Sequence, residues 1–221
     1  MLRDVERSHR SWFARGREAI ELDGVTLYLG KTEATLGFPR SDADLARAVR
    51  TAAERGASDI GCWALSPDEG LGARLLALGF QDGWQPHWMG VEPVRRSEPP
   101  EPAVEQSEEC SAALPYGHDP APTDVARHFV TRDRGVLVGH VVLHVEGHAG
   151  GIYDMGVAPH ARRRGHGTAL TVAAVTAAHE LGCSSVTLNA TGEGELLYRS
   201  VGFRSLGYGM TWWFSSGRPG R

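Results

Sequence analysis

Residues 150–203 read GGIYDMGVAPHARRRGHGTALTVAAVTAAHELGCSSVTLNATGEGELLYRSVGF, and this stretch decides the fold. Its pattern is a strand, a loop dense in Arg and Gly, a helix, a second strand, and a short helix closed by Gly202-Phe203. The strand over 152–157 stops at Pro159, whose missing N–H and fixed φ end a ladder. Arg162, Gly165 and Gly167 then form Arg-x-x-Gly-x-Gly. After them Leu170, Ala174, Ala177 and Leu181 keep helical spacing up to Gly182, an expected C-terminal cap. The two glycines let the backbone approach a ligand and turn successive N–H groups toward one point, while the helix beginning there adds its unpaired amides and the positive end of its dipole. Such a loop suits a pyrophosphate.

At these residues the chain resembles the GCN5-related N-acetyltransferase (GNAT) superfamily, whose signature Gln/Arg-x-x-Gly-x-Gly/Ala is matched by Arg162, Gly165 and Gly167. The family's preceding Val-x-Pro is present as Val157, Ala158 and Pro159. A strand over Ser185–Ala190 leads into Leu197-Tyr198 and Gly202-Phe203, where the family carries its Tyr and Gly-Phe pair. Several linked motifs in the right order, over roughly residues 126–214, are far more specific than one glycine pattern. The resemblance implies an α/β (α+β) fold, a mixed and mostly antiparallel central sheet flanked by helices, with acetyl-CoA as cosubstrate and no metal. It implies that backbone groups of Met155, Gly156 and Val157 bond the pantetheine where two central strands splay at a bulge. It assigns the phosphates to Arg162, Arg163, Arg164, Gly165, His166, Gly167 and Thr168, and it makes Tyr198 the acid that protonates the departing thiolate. The alternative for Tyr198 is packing of a short helix against the sheet. The Asn that the family often has seven positions earlier is Thr191 here, and its two helices ahead of the meander have no room in 104–126.

The base is less legible. Period-2 alternation sets Asp154 with Ile152 and Gly156 on the face opposite Tyr153, Met155 and Val157. His140, His144 and Glu146 share one face of the preceding strand, with Val141, Leu143 and Val145 on the other. If the polar face lines an acceptor pocket, Glu146 or His144 relays a proton; if it faces water, these side chains are solvated, the reading that half-exposed antiparallel strands favour. His140 and His144 lack a third ligand at metal-binding spacing. Asn189 is read either as a contact to pantetheine or, in preference, as a buried and satisfied amide.

Composition sets the frame. At 221 residues, with 41% hydrophobic and 23% charged residues, the chain is an ordinary globular protein with length for one large or two small domains. No apolar run reaches the ~20 residues that span a bilayer, so no membrane association and a cytoplasmic location are expected. A net charge of −4 argues against nucleic-acid binding. Cys62, Cys110 and Cys183, odd in number and widely spaced, suggest reduced thiols rather than disulfides or zinc.

The first half repeats the order of the second. A helix over 4–14 carries Trp12 and Phe13, and strands 19–22 and Val25–Leu29 flank the hairpin signal Asp23-Gly24. Ser41 and Asp44 suggest a capping box opening a helix that stops at Gly56. A strand over 59–65, a helix over 69–78, Gly79-Phe80 and a strand near Trp84 and Met89 follow. An offset of 126 aligns Gly30 with Gly156, Val49 with Val175, Glu54 with Glu180, Gly56 with Gly182 and Ser58 with Ser184. In this alignment Leu36-Gly37-Phe38-Pro39-Arg40-Ser41 stands where the phosphate loop should be, and the anion nest cannot be built from it. The expected organisation is therefore a degenerate lobe (1–94), a Pro-rich acidic linker (95–125), a catalytic lobe (126–214) and a tail (215–221). The leading reading is an acetyl-CoA-dependent N-acetyltransferase acting on a primary amine of a small molecule held between the lobes, with homodimerisation left open. The alternative is a non-catalytic acyl-CoA-binding regulatory protein.

Overall fold

The structure, a computed structural model, describes residues 1–93, 101–107, 114–115 and 126–215. The expectations placed on 94–100, 108–113, 116–125 and 216–221, including most of the linker, the tail and the thiol of Cys110, lie outside the described residues.

The chain forms two compact units, Met1–Ser8 with Trp88–Leu206, and His9–His87 with Gly207–Arg221. These differ from two consecutive lobes, because the closing strands are exchanged. Helix α1 (Leu2–Ala14) is followed by β1 (Glu18–Leu22), β2 (Val25–Leu29), β3 (Glu33–Gly37), α2 (Leu45–Glu54), β4 (Asp59–Ala64), α3 (Glu69–Ala77), β5 (Gln81–Asp82) and β6 (His87–Val91). Then come β7 (Val104–Gln106), β8 (Ala126–Asp133), β9 (Val136–Glu146), β10 (Ala149–Val157), α4 (His166–Glu180), β11 (Ser185–Ala190), α5 (Glu195–Val201), β12 (Arg204–Tyr208) and β13 (Met210–Ser215). One sheet has the order β1-β2-β3-β4-β13-β5 and the other β12-β6-β11-β10-β9-β8-β7. Thus β6 closes the second sheet and β13 the first. Part of the stretch read as linker is ordered, since β7 pairs antiparallel with β8.

Each sheet is an antiparallel meander followed by one parallel pair, β3 with β4 and β10 with β11, joined through a helix. Helix α4 is apolar on nearly every face because it is buried: Leu170, Val172, Ala174, Val175 and Ala178 pack with Val141 and Leu143 of β9, Ile152 of β10 and Val186 and Leu188 of β11. In the other unit Ala48 and Ala52 of α2 and Leu71 and Leu75 of α3 join Leu27, Leu36, Ile60 and Trp212. Helix α2 is capped by Asp44, whose carboxylate accepts from the Arg47 N–H at 2.9 Å, and not by Ser41. Asp68 caps α3 in the same way through Leu71 N–H at 2.8 Å.

The ungapped offset of 126 is corrected in the strand before the helix. Glu33 opposite Asp59 answers Ala149 opposite Ser185, so β3 and β10 correspond at an offset of 116 while β4 and β11 keep 126. The extra residues of the second unit lie in a longer β10, its loop and a longer α4. Leu36 and Gly37 are strand residues, and the loop of the first unit is 38–44. Phe38, at φ 49°, answers Asp154, at φ 46°. After this residue the two units diverge. The Phe38 N–H donates to the Trp63 carbonyl at 2.8 Å and zips β3 to β4. Phe13 stacks near Phe38 at 6.1 Å and lies 5.5 Å from Trp63, with His9 against all three rings.

Candidate functional site

In the second unit the corresponding position is open. Pairing of β10 with β11 ends at Ile152 opposite Leu188, although β10 runs on to Val157. On its other side β10 pairs with β9 through Tyr153 opposite Val142 and then Gly156 opposite His140, so one extra residue is inserted. Asp154 takes the left-handed conformation at this bulge, a position that Asp tolerates better than most residues. The bulge overturns the strict alternation expected from sequence. Ile152, Met155 and Val157 all pack on the side of the α4 core. A Cβ on Gly156 would instead collide with the Pro115 carbonyl oxygen and come within 3.2 Å of His140 Nε2, on the opposite side.

Tyr198 is placed by α5, which begins after the Thr191 hydroxyl accepts from Gly194 N–H at 3.2 Å. Thr191 thus serves as the local turn former. Tyr198 is buried at 8% exposure, lies 5.8 Å from the Phe203 ring, and donates from its hydroxyl to Met155 Sδ at 3.2 Å. Its polar end therefore reaches the bulged strand, beside the gap between β10 and β11. Across that gap stands Asn189 on β11, whose Oδ1 is buried without a hydrogen-bond partner. The expected satisfied amide is corrected: a buried orphan acceptor costs about 1–3 kcal/mol, and a donor from a bound group would remove that cost.

Helix α4 starts at the mouth of this gap. Its N-cap is Gly165 at φ +86°, and no side chain caps it, in contrast to α2 and α3. The first-turn amides of His166, Gly167 and Thr168 precede the first intrahelical donor, Ala169 N–H to the Gly165 carbonyl at 2.9 Å. The three arginines are unequal. Arg164 grips Asp133 at 2.7 Å, and Arg162 donates to the Val157 carbonyl at 3.3 Å with Glu193 at 3.7 Å. Arg163, exposed and at φ 61°, has no ion-pair partner among the described residues. The glycines act differently from the sequence reading. A Cβ on Gly165 would press on Pro102 at 3.2 Å and the Glu101 carbonyl at 3.4 Å, while one on Gly167 would meet Leu197 at 2.6 Å and Met155 at 3.3 Å. Both directions lead into protein, so the glycines permit close packing around the amides.

His166 is buried and linked to the edge strand. The Thr131 hydroxyl donates its one proton to the Ala103 carbonyl at 3.0 Å, so it accepts from His166 Nδ1–H at 3.0 Å. Burial and the nearby Arg164 charge hold the His166 pKa below 6.5. The Arg164 hydrogen bond holds the Asp133 carboxyl below its ordinary value. For a depressed His, the unfolded chain takes up the proton first as pH falls, so stability present above about 6.5 is lost below it. The stability advantage of the wild type over His166→Gln is accordingly expected to shrink between pH 7 and pH 5 in thermal melts. An advantage that grows on acidification would contradict this assignment. The Asp133 contribution belongs to a lower window: it is present above the unfolded carboxylate pKa of about 3.9 and lost as pH falls through the folded value.

Two proton-relay expectations are corrected by register. Glu146 pairs with Ala149, and at about 3.3 Å per residue it lies roughly 20 Å along the strand from Gly156. His144 pairs with Gly151 and is fully buried beside Tyr153, whose hydroxyl meets Ser8 Oγ at 2.9 Å and whose pKa is driven up by burial. Neither stands opposite the bulge, and the solvated reading fails for His140 and His144, which are buried, while Glu146 is half-buried. Asp154 is the carboxylate at the bulge. Sequence reasoning missed Pro115 altogether, because it lies in a stretch whose composition reads as linker. Among the described residues no cluster of three or more His, Cys, Asp or Glu could hold a metal, and no helix is long and apolar enough to cross a membrane.

A parallel β10–α4–β11 unit, opened at a bulge and followed by an uncapped helix N-terminus, is an arrangement of the GNAT fold. Residues 124–205 match the family model described as an acetyltransferase (GNAT) domain. The whole fold resembles a GCN5-related N-acetyltransferase from Kribbella flavida, at 18% identity and TM-score 0.71, covering 98% of this chain and 96% of that one. It also resembles a putative GNAT-family acetyltransferase from Novosphingobium aromaticivorans, at 13% identity and TM-score 0.65, covering 95% and 97%. A tandem GNAT protein from the clavulanic acid biosynthesis pathway matches at 15% identity and TM-score 0.54, covering 89% of this chain and 79% of that one. None of the curated proteins matches the chain.

Proposed function

We propose that the protein is an acetyl-CoA-dependent N-acetyltransferase acting on a primary amine of a small molecule. The observation that carries this reading is the Tyr198 hydroxyl, aimed at Met155 beside the gap between β10 and β11. A bound acetyl-CoA would supply the thioester. The residues present fit it: the open amides of His166, Gly167 and Thr168 with Arg163 suit its phosphates, and backbone groups of Met155, Gly156 and Val157 not engaged by β11 suit its amide arm. Asn189 Oδ1 would accept from an amide N–H of that arm, which would answer its lack of a partner. Arg162 and Arg164 shape the loop through Val157, Glu193 and Asp133 and contribute charge at longer range. Tyr198 gives its proton to the leaving sulfur. Asp154 takes a proton from the ammonium, directly or through water.

The test is calorimetric titration with acetyl-CoA followed by free-thiol release with a panel of small amines. Binding with amine-dependent release supports the reading. Binding without release from any amine would assign the site to coenzyme sensing, and absence of binding would overturn both.

One coenzyme per chain is expected at saturation. In the first unit the gap is zipped at Phe38 and Trp63 and filled by aromatic rings, and the Asp44 carboxylate already occupies the N-terminus of α2. Two equivalent sites in the titration would contradict this.

A further inference from the structure

The side of the bulge away from α4 carries an arrangement that the acyl-transfer reading does not use. Gly156 and His140 are cross-strand partners there, and directly over them lies the carbonyl of Pro115. That carbonyl is 2.8 Å from His140 Nε2. A carbonyl only accepts, so Nε2 carries a proton whether the imidazole is neutral or charged, and this nitrogen is a donor rather than a base. A second attachment holds the same dipeptide. Leu114 is buried against Val138, Ala158 and Ala161, residues that flank the ends of β9 and β10. Gly156 is the one residue type that leaves room for the carbonyl, since any Cβ would collide with its oxygen.

We propose that Leu114 and Pro115 form the acceptor-side wall of the open site, with His140 as the positioning residue that holds the Pro115 carbonyl where an N–H of the incoming amine donates to it. This rests on the acyl-transfer reading and deepens it. The carbonyl oxygen has two lone pairs, of which His140 engages one. An amine donating to the other leaves its own lone pair for attack, so the wall selects nitrogen acceptors that keep at least one N–H. Tyr198 stands on the α4 side of β10 and the wall on the opposite side, so the leaving sulfur and the attacking amine are served by different groups.

The experiment compares His140→Ala with His140→Gln in the full chain, measuring acetyl-CoA affinity, KM and kcat for a responsive amine, the pH–rate profile, and hydrogen exchange of the Leu114 amide. Alanine removes the donor, whereas the glutamine side-chain amide restores one. His140→Ala is expected to raise the amine KM by about 3–10-fold, the usual worth of one hydrogen bond, with coenzyme affinity unchanged. It should also speed exchange at Leu114. His140→Gln should return both toward the wild type, with the acidic limb of the pH profile intact. An unchanged KM in His140→Ala, or a His140→Gln variant that loses the acidic limb as fully as alanine, would overturn the proposal, the latter by making His140 a base. Unaltered Leu114 exchange in His140→Ala overturns it even without turnover. Loss of coenzyme binding in the wild type would instead indict the acyl-transfer reading.

Discussion

Replacing Tyr198 by Phe is expected to slow turnover by on the order of 10²–10⁴-fold while leaving acetyl-CoA affinity unchanged, because loss of a positioned acid typically costs that much. The ring is buried against Phe203 and stays packed without its hydroxyl. The substitution removes the bond from the hydroxyl to Met155 Sδ at 3.2 Å, a weak sulfur acceptor. The pH–rate profile separates the acid from a packing role. In the wild type the acidic limb reports deprotonation of the amine or its base and the alkaline limb reports the acid; in Tyr198→Phe the alkaline limb should vanish. Full turnover with the same alkaline limb would show that the sulfur is protonated from elsewhere.

Gly165→Asp is expected to abolish coenzyme binding, by on the order of 10²-fold or more, since each charge-assisted hydrogen bond at such a site is worth about 1.5–3 kcal/mol. The substitution puts a carboxylate at the uncapped start of α4, where Asp44 and Asp68 stand for α2 and α3, and so sets a negative charge against the phosphates. Gly165→Ala is the control. It suffers at least as much strain at φ +86°, about 1–2 kcal/mol, and the same pressure on Pro102 and the Glu101 carbonyl, without the charge. Alanine should therefore lower thermal stability as aspartate does yet retain most of the affinity. Equal affinity losses in the two variants would mean that the loop's shape, not its open amides, binds the anion.

The parts of this site that are legible in the sequence are local ones. Strand Ser185–Ala190, the helix up to Gly182 and the start of α4 after Gly165 follow from periodicity and glycine placement, since each depends on near neighbours in the chain. The bulge at Asp154 does not, because one inserted residue leaves no mark on an alternating pattern yet reverses the face of every residue after it. That single displacement put Met155 beside Tyr198 and Gly156 beside His140. The exchange of β6 and β13 is equally hidden: both strands were recognisable, but which sheet each joins is decided by long-range pairing. The 126-residue offset failed for the same kind of reason, as a longer β10 and α4 shift the register between two otherwise corresponding strands. Asn189 was visible as a residue, but its unsatisfied oxygen exists only once β11 is set beside the open edge of β10.

The central claim is that one coenzyme lies with its phosphates on the first turn of α4 and its sulfur beside Tyr198. A crystal structure of the chain with coenzyme A tests it most directly. The account predicts phosphate oxygens bonded to the amides of His166, Gly167 and Thr168, an amide N–H of the ligand on Asn189 Oδ1, and the thiol within hydrogen-bond reach of Tyr198 Oη. Coenzyme bound at the 38–44 loop of the first unit, or a thiol remote from Tyr198, would contradict it.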